Sequence, residues 1–220
     1  MEAEISGAFV ALLPVKDFAQ AKSRLGPRLS SAQRTVFAEA LAHHSYQELN
    51  RFTTTFISTE SPQVVEWAVS HSYRFIHTSA IGLNPVLEEA RARVRAAGAA
   101  GVVVAPSDLT SYQGIERHLA LLSQSPITIS PDHSRSGTNV LGLNAESTIR
   151  FHFGDHSFEA HLRECADARV SAHIVEAQGL AFDIDVFEDL RRIARSEIAI
   201  ADPKITDAVR VLMSAEEPAS

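Results

Sequence analysis

The chain has 220 residues, 45% hydrophobic and 21% charged, with ten glycines and nine prolines. That is apolar material for one good core, and it excludes disordered, collagen-like and disulfide-scaffold classes. Twenty Lys and Arg against 27 Asp and Glu leave a formal charge of -7, so the surface as a whole repels nucleic acid and anionic membrane, and an anionic ligand needs a local cationic pocket or metal ions.

The first residues, Met1 to Ile5, carry acids where a secretory leader carries bases, and the apolar run that follows is short and cut by Pro14. Together with a lone cysteine, Cys165, this gives the expectation of a soluble cytoplasmic protein. Residues 9–13 read as the first strand, and residues 30–49 as a helix with Val36, Phe37, Ala40 and Leu41 at helical spacing behind a Ser30 or Ser31 cap. A strand over 53–58, a helix opened by Ser61-Pro62 and running to Val69, and a short strand at Phe75-Ile76 come next. The Ala/Arg/Glu-rich stretch 85–97 is helical and stops at Gly98. Residues 101–105 form a fully apolar run that suits a central buried strand, with Asp108 just past its carboxyl end. Beyond it lie a helix over 114–123, strands at 127–129 and 140–143, a helix over 157–167 and a strand at 172–175. Residues 182–185 alternate apolar with acid, as in a strand, before a helix through Arg195; residues 216–220 are expected to fray. No repeat or linker divides the chain, so a single domain over 1–220, with its core at about 8–195, is expected, of α/β class with a mixed, mostly parallel sheet flanked by helices.

Three groups of residues could carry chemistry. Lys16, Lys22 and Arg24 follow the first strand, where open α/β sheets bind ligands. Neither GxGxxG nor GxxxxGK[ST] is present, so charge would have to replace a glycine cradle; the alternative is a solvated basic turn. Asp108, Asp183 and Asp185 offer the hard oxygens that Mg²⁺ prefers, the last two sharing one face of their strand-like segment. A strand-end cap and a helix N-cap are the plain alternatives for these acids. Finally, residues 136–139 and 153–157 are polar and glycine-bearing, and Ser157 opens a helix whose amides could bind an anion; turns with an N-cap explain them equally. The ten histidines give no HExxH, and His156 and His161 are five apart, so zinc is not indicated. GxSxG is absent, and Cys165, Trp67, Phe37 and Phe56 read as packing groups.

Taken in order, Pro14-Val15-Lys16, Ala21 to Leu25, Gly82-Leu83-Asn84, Pro106 to Leu109, Pro131-Asp132-His133 with Gly137-Thr138-Asn139, residues 153–158 with His161, and Asp183-Ile184-Asp185 make a sequence that resembles the guanylyltransferases of coenzyme F420 biosynthesis over residues 8–195. That resemblance implies a nucleotide-diphospho-sugar-transferase-like (Rossmann-like) fold. The implied reaction moves GMP from GTP to 2-phospho-L-lactate, phosphoenolpyruvate or 3-phospho-D-glycerate, with release of pyrophosphate. It also implies two Mg²⁺ ions on Asp108, Asp183 and Asp185, acceptor phosphate at Thr138, Gly154 and Ser157, triphosphate at Lys16, Lys22 and Arg24, and nucleotide near Gly82 and Asn84. Handover of a labile product to the next transferase of that pathway is part of the same expectation, and a homodimer is compatible with it. Two alternatives stay open: another GT-A-like nucleotidyltransferase, of molybdenum-cofactor or sugar-phosphate type, and a catalytically silent nucleotide-binding paralogue. One departure stands out: the family usually has Leu-Pro after its first aspartate, whereas Leu109 is followed here by Thr110-Ser111.

Overall fold

The computed structural model describes residues 5–26, 28–195 and 203–214; the tail expected to fray lies outside the described residues. Seven strands, β1 (Phe9–Pro14), β2 (Thr55–Thr59), β3 (Phe75–His77), β4 (Gly101–Val104), β5 (Ile127–Pro131), β6 (Thr138–Asn144) and β7 (Ala172–Ile174), form one sheet in the order β3-β2-β1-β4-β6-β5-β7. All run parallel except β6, which is antiparallel to both neighbours, β4 and β5. The expected mixed, mostly parallel sheet is therefore present, and β6 is its one reversal.

Strand alternation divides the apolar residues between the two faces. Val10, Leu12, Val102 and Val104 point to the face covered by α3 (Leu83–Ala96) and α5 (Ser157–Asp167). Ala11, Leu13 and Val103 point to the other, under α1 (Ser31–Leu49), α2 (Pro62–Ser70) and α4 (Ile115–Leu122). In α3 the buried residues Val86, Leu87, Ala90 and Val94 make the stripe that turns an Arg/Glu-rich segment into a core helix. The start of β4 needs its glycine: a Cβ on Gly101 would lie 2.4 Å from the carbonyl oxygen of Leu143 on β6. Ser30 and Gln33 close a reciprocal capping box on α1, and Ser61 caps α2 with Pro62 in its first turn, as the sequence predicts.

A third apolar cluster lies beyond the sheet, where Leu25, Leu29, Phe37 and Leu41 meet Ile184, Leu190 and Ile193 of the segment around α6 (Phe187–Ala194) and Ile205 and Val209 of α7 (Pro203–Ser214). Two expectations need correction. Residues 182–185 are not a strand. A single antiparallel bridge joins Leu109 to Asp183, so Asp183 and Asp185 do not share a strand face; a loop positions them. Trp67 is half-buried rather than core, with its ring edge-on to Phe18, while Phe37, Phe56 and Cys165 are buried as expected.

Candidate active site

Because β6 runs backwards, its first residue, Thr138, lies at the sheet edge reached by the carboxyl ends of β1, β4 and β5. The loops that carry the three candidate groups thus come to one edge, as the crevice rule for open α/β sheets requires.

Lys22 is the centre of the charged group. Its backbone is left-handed, with φ 52°, which turns the side chain inward ahead of the short 3-10 turn Ser23–Leu25. The ammonium donates to Oδ2 of Asp108 at 2.6 Å and to the carbonyl of Ile184 at 2.5 Å, and stands 3.5 Å from Oδ1 of Asp185. Arg24 donates to the other oxygen of Asp185 at 2.9 Å. Two backbone bonds hold these acids together: Ile184 N–H to Asp108 C=O at 2.9 Å and Thr110 N–H to Phe182 C=O at 3.0 Å. Leu25 and Ile184 share the third apolar cluster, so packing fixes the lysine loop against the aspartate loop. A proline at 110 would lack the N–H that donates the second of these bonds.

Burial opposes the Lys22 charge, yet Asp108 and then Asp185 hold its pKa above the ordinary lysine value. Asp183 is pushed up to about 6, first by burial and then by the charges of Asp108 and Asp185. Beside this cluster is a pocket of about 380 Å³ whose walls include Lys16, Lys22, Arg24, Leu83, Asp108 and Asp185. Among the described residues no three His, Cys, Asp or Glu side chains stand ready-made around a common point. The lysine ammonium lies between Asp108 and Asp185 instead. The donor set nevertheless fits a divalent ion: Asp108 and Asp185 stand close enough to Asp183 to raise its proton affinity, so the group offers hard oxygens short of positive charge, and Mg²⁺ completes its shell with water and phosphate oxygens.

The second group is neutral. Thr138 N–H donates to Oγ of Ser157 at 2.8 Å, and Ser157 N–H to the carbonyl of Gly154 at 3.2 Å. Gly154, at φ 135°, has open space where a side chain would be, so backbone is exposed at the entry to α5. None of these three residues lines the charged pocket. Asn84 donates to the carbonyl of Phe153 at 3.0 Å and accepts from its N–H at 2.8 Å. Its amide is spent on clipping the start of α3 to the loop before α5, while neighbouring Gly82, at φ 91°, caps α3. Lys16 is exposed at the pocket mouth.

Sequence reasoning gave no role to the Ile184 carbonyl as a lysine acceptor, or to His161. Buried His161 stands 2.9 Å from Thr138 Oγ1 through Nδ1, and its Nε2 accepts from His152 N–H at 2.9 Å. Its spacing with Phe158 and Cys165 on α5 signals only an inward face.

Residues 9–197 match the family described as "Guanylyl transferase CofC like". The chain is 32% identical over 191 residues to a phosphoenolpyruvate guanylyltransferase of Rubrobacter xylanophilus, covering 84% of this chain and 93% of that one. It is 29% identical over 187 residues to a 2-phospho-L-lactate guanylyltransferase of Methanothermobacter thermautotrophicus (83% and 82% covered). To a 3-phospho-D-glycerate guanylyltransferase of Colwellia psychrerythraea it is 25% identical over 188 residues (83% and 90%). The crystal structure of a protein from Desulfovibrio desulfuricans G20, given as a nucleotide-diphospho-sugar transferase, superposes with a TM-score of 0.77 at 16% identity, covering 97% of this chain and 100% of that one. The last likeness bears on fold alone.

Proposed function

The chain belongs to the CofC-like guanylyl transferase family, and from that premise we propose that it transfers GMP from GTP to a phosphorylated three-carbon acid in coenzyme F420 biosynthesis. The observation that carries this reading is the meeting of Lys22 and Arg24 with Asp108 and Asp185 beside one pocket. A phosphate oxygen of the acceptor attacks the α-phosphorus of GTP; the new P–O bond forms as the bond to the β-phosphate bridging oxygen breaks, and that oxygen leaves with the electron pair as pyrophosphate. Both reactants are polyanions, so the barrier falls through charge neutralisation and alignment more than through a general base.

Lys22, Arg24 and Lys16 meet the triphosphate, Lys22 exchanging its carboxylate partners for phosphate oxygens as the nucleotide enters. Asp108, Asp183 and Asp185 are the residues that would hold two Mg²⁺ ions. Magnesium supplies, when bound, the positive charge that neutralises phosphate oxygens and the developing leaving group. The Thr138 and Ser157 hydroxyls and the open backbone at Gly154 take the acceptor phosphate, with Gly82 and Asn84 shaping the nucleotide side through the α3 cap and the Phe153 clip. No helix among the described residues is long and apolar enough to cross a membrane; a cytoplasmic homodimer that passes its labile product to the next transferase completes the proposal. The test is incubation with GTP, Mg²⁺ and each of phosphoenolpyruvate, 2-phospho-L-lactate and 3-phospho-D-glycerate separately, reading pyrophosphate and product mass. Release with one acid is expected; release with none defeats the reading.

A further inference from the structure

The hydrogen bonds around His161 have a fixed direction. Its Nε2 lies 2.9 Å from the backbone N–H of His152, which can only donate, so Nε2 is an acceptor and carries no proton. Burial first, and then neighbouring His152, hold the ring pKa down at about 4, so the imidazole is neutral and its single proton is on Nδ1. That nitrogen is 2.9 Å from Thr138 Oγ1, so His161 donates and the threonine oxygen accepts. Ser157 is in the same position: its Oγ accepts from Thr138 N–H at 2.8 Å. Each hydroxyl therefore has an acceptor lone pair committed to a protein donor. Among the described residues neither passes its own proton to a protein acceptor.

We infer that His161 is a positioning residue that, through its Nδ1–H, keeps the Thr138 hydroxyl proton free to be donated to the acceptor's phosphate. Two neutral hydroxyls whose protons are not spent on protein acceptors offer a phosphate two O–H donors. With the other tautomer the threonine would spend its proton on the imidazole and face the phosphate with its oxygen. The buried ring, at 0% exposure, does not reach the ligand itself. This inference rests on the reading of Thr138 as an acceptor-phosphate residue.

Substitutions separate the two ring nitrogens. His161→Gln can keep an acceptor near the Nε2 position for His152 N–H but withdraws the donor from Thr138; His161→Asn can keep a donor near Nδ1. With the full chain, His161→Gln is expected to raise the acceptor's KM about tenfold, leaving the KM for GTP within about twofold. His161→Asn is expected to stay near the parent, and His161→Gln in a Thr138→Val background to add nothing to the single Thr138→Val effect. Long-range ¹H–¹⁵N spectra of the unliganded protein at neutral pH should show the Nδ1–H tautomer; the Nε2–H tautomer overturns the inference whatever the kinetics. An unchanged acceptor KM in Thr138→Val removes the underlying reading of Thr138. A raised KM in Thr138→Val together with an unchanged one in His161→Gln removes the role of His161 alone.

Discussion

The two halves of the sheet's carboxyl edge solve opposite problems. Around Lys22, three carboxylates and two cations are crowded together with charge still unbalanced, and burial, then the charges of Asp108 and Asp185, push Asp183 up to about 6. Around Thr138, two hydroxyls, an imidazole and two backbone amides are neutral, buried and bonded in a defined sense. A neutral network of this kind is organised before any ligand arrives. A surplus of like charge has an energy set by what enters, because a counter-ion relieves repulsion already present in the fold. The charged half is therefore suited to recruiting cations and phosphates, and the neutral half to orienting one group.

Substitutions can sharpen or break that contrast. The largest effect is expected at the acids: Asp185→Asn or Asp183→Asn should lower turnover about 10³-fold in a pyrophosphate-release assay. Asp183→Asn should at the same time raise the thermal midpoint, by about 2–4 °C per kcal/mol of relieved repulsion. A fall in midpoint would show that Asp183 stabilises the fold instead. Next, Lys22→Met leaves Asp108 and Asp185 without the buried ammonium, a loss of about 3–5 kcal/mol. Its melting curve should drop by about 10 °C in chelator and recover in part in millimolar Mg²⁺. No recovery would separate the acids from metal binding.

A smaller effect comes from neutral histidines. Burial and then Arg117 hold His118 down at about 3, and it sits 2.7 Å from Thr128 Oγ1 and 2.8 Å from Ser130 Oγ; His161 is held at about 4. The unfolded chain protonates both near 6.5 and the folded chain does not, so their contribution is whole above that pH. It is lost as pH falls toward 4, by about 1.4 kcal/mol per unit per histidine. Denaturant melts at pH 7.5 and 5.0 should show His118→Gln with a shallower pH dependence than the parent; equal slopes would mean that His118 is not the proton acceptor. The smallest expected effect is Thr110→Pro, which removes one backbone bond to Phe182, worth about 1 kcal/mol. Its thermal midpoint should fall by about 2–4 °C with turnover nearly retained; a loss as large as in Asp185→Asn would make the clamp part of the chemistry.

Much of this was legible in the amino-acid order. The apolar run at 101–105, the cap at Ser30 or Ser31, the cap at Ser61 and the helix over 157–167 have strong local signals, and the structure places them to within a residue, with the strand ending at Val104 and the first cap at Ser30. Lys22, Asp108 and Asp185 were candidates in the sequence, but residue types alone left a basic turn and helix or strand caps as alternatives, and only the family resemblance joined them into one site. The arrangement at 182–185 did not follow, since alternation of apolar and acidic residues mimics a strand. What decides there is the bridge to Leu109 and the burial of Ile184, both long-range. His161 was equally hidden: an inward-facing helical histidine has the same spacing whether it only packs or orients a neighbour, and the direction of its hydrogen bonds exists only once His152 is placed. Asn84 shows the converse, as its reciprocal bonds to Phe153 depend on a loop 69 residues away.

The reversal of β6 also governs where the gene can tolerate change. At the opposite edge the exposed residues Ser123 and Gln124, between α4 and β5, join elements far from the carboxylates and the hydroxyls, so added residues there lengthen a surface loop. The β5–β6 turn over 132–137 is different, because the chain re-enters the sheet directly at Thr138. An insertion of one or two residues in that turn would shift the register at which the hydroxyl pair is delivered while leaving the apolar layers intact. Length polymorphism among relatives should therefore gather on one side of the molecule and spare this turn.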